Sequence, residues 1–146
     1  MNNYLDGKIL IAPPKMQDWR FAKSLVYMWK HDVSGAGGVI INKKVSAPSF
    51  DNICAEGKIK RRADVHPQIF YGGPVMTNLV GCLHSLDYKL NTTNISSATL
   101  GFTLDKTIIE DIAKGKGPRK YLLEVHGLSW DYDPMWYKVI STCPSP

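Results

Sequence analysis

The sequence predicts one α+β domain, on three observations. Short apolar runs rich in β-branched and aromatic residues are separated by Gly and Pro turn signals, as strands are. Two other segments carry helical spacing together with capping residues. No repeat or linker divides the 146 residues, a length that suits one core.

Lys8–Ala12 is apolar and stopped by Pro13-Pro14, which predicts a first strand. Asp18 can cap a short helical turn with Phe21 pointing inward. Residues 24–31 place Leu25, Tyr27 and Trp29 on one face and Val26 and Met28 on the other, so this strand is expected to be buried on both sides. Asp32–Gly38 reads as a glycine-rich turn and Val39–Lys43 as the second strand of a hairpin. Ser34-Gly-Ala-Gly-Gly38 is not a phosphate loop, because a β-branched run follows where Lys-Ser/Thr and a helix would be needed.

Ser49 caps a short helix that turns Phe50, Ile53 and Cys54 inward and ends at Gly57. A polar connection leads to residues 68–85, where two apolar runs flank Gly72-Gly73-Pro74. Two glycines and a φ-locked proline predict a sharp, rigid bend there. Asn91–Ser97 is turn-rich, and Ala98–Thr103 reads as a short strand or as irregular chain. Residues 105–114 form the clearest helix, with Ile108, Ile109 and Ile112 on one face. Asp105 is its expected cap, Thr107 with Glu110 the alternative capping box, and Gly115 and Gly117-Pro118 its stop. Arg119–His126 is the last expected strand, and Pro134 opens a short helix to Ile140.

Eighteen Lys and Arg against thirteen Asp and Glu give a net charge of +5, which is compatible with nucleic acid or anionic ligands without requiring them. No apolar run reaches the ~20 residues of a membrane span, so no membrane contact is expected. The start lacks a signal-peptide pattern, and Cys54, Cys82 and Cys143 are widely spaced with no C-x-x-C. A reduced cytoplasmic setting follows as the expectation.

Candidate chemistry is fragmentary. Neighbouring strand residues point to opposite faces, so neither His84-Ser85 nor His31-Asp32 can act as a simple dyad. A cross-strand set with His31, His84 and Asp32 is the hydrolase alternative, against histidines that merely cap strand ends. His31, His66, His84 and His126 lack metal spacing, so no metal and no cofactor are expected; Cys82 reads as a small core residue. Lys58, Lys60, Arg61 and Arg62 form one basic loop and Lys114, Lys116, Arg119 and Lys120 another, able to neutralise phosphates without reading sequence. No nucleic-acid docking motif accompanies them. Trp130, Tyr132, Trp136 and Tyr137 crowd the tail, either closing the core or offering a contact surface.

The ordered motifs resemble the YqgE/AlgH family of small bacterial proteins. They are Leu10-Ile-Ala12 with Asp18 and Phe21, Ser24-Leu-Val-Tyr27 leading to His31, Gly35-Ala-Gly-Gly-Val-Ile-Ile-Asn42, Tyr71-Gly-Gly-Pro-Val75, Leu83-His-Ser85 and Ile112-Ala-Lys-Gly-Lys-Gly-Pro118. The resemblance spans about residues 8–127 and implies a bent, mostly antiparallel sheet flanked by short helices. The family's Gly-Tyr-Ala-Gly-Trp-like turn is replaced by Gly127-Leu-Ser-Trp130, and the segment 128–146 diverges, so a missing final strand is expected. Thr107 stands where the family commonly places an Asp, and the helix after Ser49 is shorter than usual. The family's label as a transcriptional regulator implies a role without a mechanism.

The leading expectation is a non-enzymatic cytoplasmic binding or regulatory domain that contacts protein or nucleic acid. The basic residues Lys58, Lys60, Arg61, Arg62, Lys116, Arg119 and Lys120 are its candidate nucleic-acid contacts. His31, Asn42, Gly72, Gly73, His84 and Ser85 are expected to converge as a candidate ligand corner. The alternatives are a small hydrolase using His31, His84 and Ser85, and an accessory domain docking through its tail aromatics. The sequence leaves the oligomeric state open.

Overall fold

The computed structural model describes residues 4–76 and 79–130, with the side chain of Trp130 left aside. The order is β1 (Ile9–Ile11), β2 (Leu25–Asp32), β3 (Gly35–Ile40), β4 (Lys44–Val45), α1 (Phe50–Glu56), β5 (Ile69–Tyr71), β6 (Val80–Ser85), β7 (Asn94–Ile95), β8 (Leu100–Thr103), α2 (Lys106–Ala113), β9 (Tyr121–Val125) and β10 (Leu128–Trp130). These strands form two sheets, β1-β2-β3-β10 and β4-β5-β9-β6-β8-β7. Every pairing is antiparallel except the parallel β5–β9. The α+β class and mostly antiparallel pairing are as expected, and the bend is realised as two sheets.

Helices α1 and α2 cover one face of the six-stranded sheet, where Phe50, Cys54, Ile108 and Ile112 meet Ile69, Leu123 and Val125. Between the sheets, Tyr27, Trp29 and Val39 pack on Leu83 and Phe102. The outer face of the four-stranded sheet holds Val26, Met28 and Ile40 beneath Phe21. β2 is therefore buried on both faces, with the predicted partition of its side chains.

The hairpin after β2 forms, but its glycines are not the turn. Val33-Ser34 make the turn, and Gly35–Ile40 is a wholly buried strand. A bulge at Trp29 interrupts the β2–β3 register, and a Cβ on Gly37 would lie 2.6 Å from the Trp29 ring. That ring stacks on Phe102 with centroids 4.7 Å apart. Glycine is needed here for a close approach of backbone to aromatic ring, which no local signal could reveal.

Gly72 is the hinge between the sheets. Its N–H donates to the Val125 carbonyl at 2.8 Å in one sheet, while its own carbonyl accepts from Ile40 N–H at 2.8 Å in the other. The bend expected at Gly72-Gly73-Pro74 thus places β5 and β6 on either side of β9.

Both helices start as expected and end alike. Ser49 caps α1 in a reciprocal box with Asn52, and the Asp105 side chain accepts from Thr107 N–H to cap α2. Thr107–Glu110 is not the cap. Each helix closes with a Schellman pair, Ile59 N–H to Cys54 O with Lys58 N–H to Ala55 O, and Lys116 N–H to Asp111 O with Gly115 N–H to Ile112 O. In α2 the left-handed residue is Gly115 (φ 76°), but in α1 it is Lys58 (φ 56°) rather than Gly57. Ala98–Thr103 resolves as strand β8 from Leu100. The expected helix 134–140 and the tail aromatics lie outside the described residues.

Candidate functional site

The two Schellman turns open directly into the two basic loops, and the fold joins those loops. Arg62 N–H donates to the Ala113 carbonyl at 2.8 Å. The Arg62 guanidinium lies so close over Gly115 that a Cβ there would meet Nη1 at 2.3 Å. Lys58, Lys60, Arg62, Lys114 and Lys116 are all exposed. Both helix C-termini end here, and their negative poles favour neighbouring cations without any ligand.

The four cations of the first loop are not equivalent. Arg61 is a structural staple: its guanidinium bonds Asp51 at 3.1 Å and the carbonyls of Arg62 and Val65 at 3.1 Å each, and its side chain is only 18% exposed. Arg62 pairs with Asp64 at 2.6 Å, holding that carboxyl below its usual range. Lys58, Lys60, Lys114 and Lys116 form no ion pair among the described residues. Arg61→Ala is expected to destabilise the protein by about 1–2 kcal/mol, the scale of lost charge-assisted hydrogen bonds. Lys60→Ala is expected to change stability by less than about 0.5 kcal/mol. Paired urea titrations measure the difference.

Arg119 and Lys120 precede β9 on a separate anchor. Arg119 N–H donates to Asp87 at 3.0 Å and Lys120 N–H to Ser85 Oγ at 3.2 Å. Ser85 Oγ itself donates to Asp87, whose carboxyl is held low chiefly by that bond. Both cationic side chains are exposed.

The expected ligand corner does not assemble as one group. Asn42, Gly72 and Gly73 lie where the sheets join: Asn42 accepts from Leu25 N–H at 3.0 Å and donates to Lys23 O at 2.8 Å. Gly73 (φ 144°) lies against Leu128. His31 sits toward the opposite end of β2, paired with Ala36, whereas Val26 pairs with Ile40. Its Nδ1 accepts from Leu5 N–H at 2.9 Å, and the Asp32 carboxylate turns away to Ser34. His84 belongs to the other sheet, paired with Tyr121 at the end of β6 remote from the Val80–Val125 pair beside Gly72. The cross-strand set of His31, His84 and Asp32 is therefore not formed.

His84 is a satisfied core histidine. Its Nδ1 donates to the Ser85 carbonyl at 2.9 Å, which leaves Nε2 to accept from Thr103 Oγ1 at 2.7 Å. Thr93 Oγ1 continues the chain to Thr103 at 2.8 Å. The Ser85 hydroxyl does not meet the imidazole; it bonds Asp87. Cys82 is fully buried, and burial pushes its thiol far up, as befits a small core residue rather than a nucleophile.

Glu124, and the backbone strain and buried ring nitrogen of His126, escaped the sequence reading. Glu124 in β9 is 0% exposed, and neither carboxyl oxygen has a hydrogen-bond partner among the described residues. It pairs with Phe70 and Gly81, and a Cβ on Gly72 would lie 3.3 Å from its Oε2. Burial raises its acid to about 9. His126 takes a left-handed φ of 67° and buries Nδ1 without a partner among the described residues. The signal for Glu124 was present: one carboxylate stands inside the apolar run Leu122-Leu123-Glu124-Val125. No group of three or more His, Cys, Asp or Glu able to hold a metal occurs among the described residues, and no described helix is long and apolar enough to cross a membrane.

These features define a small α+β domain of two joined sheets with a two-loop cationic face. The chain belongs to the YqgE/AlgH family: the AlgH-like family model matches residues 9–135. A UPF0301 protein of Nitrobacter hamburgensis is 34% identical over 139 residues, covering 88% of this chain and 63% of the relative. A UPF0301 protein of Afipia carboxidovorans is 37% identical over 138 residues, covering 87% and 65%. This chain thus spans just under two thirds of the length of these curated relatives. The solution structure of the AlgH protein from Pseudomonas aeruginosa superposes with a TM-score of 0.69 at 28% identity, over 90% of this chain and 70% of that one. A crystal structure from Corynebacterium diphtheriae gives 0.67 at 17% identity, which bears on the fold alone.

Proposed function

We propose that this chain is a non-enzymatic binding module that holds nucleic acid on the face formed by the 58–62 and 114–117 loops, in a regulatory role. The observation that carries the reading is the junction of the two loops at Arg62, which gathers cations distant in sequence onto one surface. Lys58, Lys60, Lys114 and Lys116 supply charge free of ion pairs among the described residues, and Arg119 and Lys120 extend it along the chain. Such contacts neutralise phosphates and position a backbone without reading bases. Buried free thiols at Cys54 and Cys82 support a reducing, cytoplasmic setting.

Fluorescence anisotropy with labelled duplex DNA, single-stranded DNA and RNA tests this. The variant Lys58→Gly/Lys60→Ala/Lys116→Ala spares the Arg61 staple, and glycine suits the left-handed position of residue 58. Loss of about tenfold or more in affinity is expected, at unchanged melting temperature. Equal binding by variant and wild type, or no binding to any of the three, overturns the proposal.

A further inference from the structure

Among the described side chains Trp19 is the one exposed aromatic, and at 81% it stands almost clear of the protein. It is carried by the loop between β1 and β2, which hydrogen bonds hold at several points. Phe21 N–H and Ala22 N–H donate to the Asp18 carbonyl at 3.0 and 3.1 Å, and Ser24 N–H donates to the Phe21 carbonyl at 3.0 Å. The Asp18 carboxylate accepts from both Arg20 N–H and the Arg20 guanidinium, which lies over the Phe21 ring at 5.3 Å. Lys43 Nζ ties the far side of the loop by donating to the Arg20 carbonyl at 3.0 Å. The backbone around Trp19 is thus ordered before any partner arrives, which lowers the entropic cost of contact.

The setting of Trp19 is cationic rather than apolar. Residues 13–24 hold Lys15, Arg20 and Lys23 against Asp18 alone, and Asp18 is committed to Arg20. Lys15, Lys23 and Lys44 are exposed and form no ion pair among the described residues. No other exposed large apolar residue occurs in this loop, so a folded protein partner would find one side chain and no patch. A planar base joined to phosphates matches what is offered, an aromatic face on a loop with free lysines. The loop is also continuous with the basic face. The Lys43 carbonyl accepts from Tyr71 N–H at 2.7 Å, Lys44 pairs with Phe70, and the chain before β5 begins at His66, whose Nδ1 lies 3.3 Å from Arg61 Nη1. Residues 66–71 span roughly 18 Å at most, so a single strand of a few nucleotides can reach both cationic grounds.

We propose that Trp19 is a stacking platform for an unpaired base, so that the polyanion held by this chain is a single-stranded nucleic acid. The inference rests on the nucleic-acid reading of the joined loops and adds the form of the strand. The indole stacks on one base, while Lys15, Lys23 and Lys44 neutralise the flanking phosphates. Bases inside a duplex are stacked on both faces and leave none for the indole, so duplex DNA forgoes this contact.

Anisotropy titrations of a labelled oligothymidylate, an abasic oligomer of equal length and a duplex test the assignment. Trp19→Ala is expected to weaken oligothymidylate by about tenfold, the effect of one lost stack, and to leave the abasic oligomer and the duplex unchanged. Trp19→Phe is expected to keep most of the affinity and Trp19→Leu to lose as much as alanine does. The melting temperature should hold in all three, because the side chain is exposed. Unchanged oligothymidylate affinity in Trp19→Ala, an equal loss on the abasic oligomer, or full rescue by Trp19→Leu overturns the proposal. So does binding to phosphatidylglycerol vesicles that needs Trp19 while oligothymidylate binding does not, which would make the loop a membrane contact. If Trp19→Ala has no effect on a strand that Lys58→Gly/Lys60→Ala/Lys116→Ala releases, only the stacking inference fails. If the wild type binds no polynucleotide, the nucleic-acid reading fails with it.

Discussion

Glu124→Gln is expected to flatten the pH dependence of stability and to stabilise the protein above neutrality. The carboxyl is wholly buried in the central strand β9, and burial raises its acid from 4.5 to about 9 in the fold. The sign follows from linkage. Below about pH 4.5 the acid is neutral in both folded and unfolded chains, and it imposes no charge penalty. Between that value and about 9 the unfolded chain ionises while the fold keeps its proton, so stability drains away as pH rises. Each unit costs about 1.4 kcal/mol, so this one group removes on the order of 4 kcal/mol between pH 5 and pH 8. Glutamine keeps the shape and cannot ionise. Urea unfolding of both proteins across that range measures the effect. The difference between them should widen steadily in favour of the variant; parallel curves would mean that Glu124 is not buried as a neutral acid.

The second large effect concerns the hinge. In Gly72→Ala, the new Cβ would sit 2.3 Å from the His126 carbonyl oxygen and 3.3 Å from Glu124 Oε2. Backbone on both sides is fixed, because Gly72 holds a hydrogen bond into each sheet. The methyl can be admitted only by separating β5 from β9 or the sheets from one another, at a cost of about 3 kcal/mol or more. Gly127→Ala is the control, since a Cβ there would meet nothing nearer than 3.5 Å. Thermal denaturation is expected to show a large loss for residue 72 and a small change for residue 127. Equal effects would remove Gly72 from its role as the joint.

Local signals in the sequence were sufficient for what is locally determined. The two-faced strand Leu25–Asp32 follows from alternation of large side chains, and both helix starts follow from Ser49 and Asp105 with the apolar residues behind them. What failed depended on partners distant in the chain. Gly35–Gly38 resembles a turn by composition, but its strand conformation is fixed by the Trp29 ring lying over Gly37. Lys58 in place of Gly57 takes the left-handed turn because the Schellman bonds count from the helix end, not from the nearest glycine.

The site divides in the same way. His31 and His84 are both polar residues near the end of an apolar strand, so their pattern suggests convergence, yet non-local pairing assigns them to different sheets. The basic loops were visible as separate clusters. Their meeting depends on the long-range contacts of Arg62 with Ala113 and Gly115, and Arg61's withdrawal from the surface depends on Asp51 and the Val65 carbonyl. Charge can be counted in a sequence, but its availability is set by packing.

The salt dependence of polynucleotide affinity tests the central claim most directly. Anisotropy titrations at several salt concentrations, on wild type and on Lys58→Gly/Lys60→Ala/Lys116→Ala, give the slope of log affinity against log salt. If the joined loops hold phosphates, the wild-type slope is steep and negative, and each contact removed reduces it by about 0.9 on duplex DNA or about 0.7 on single strands. A wild-type slope near zero, or one that the three substitutions leave unchanged, would contradict the account and leave the lysines as counter-charges to two helix ends.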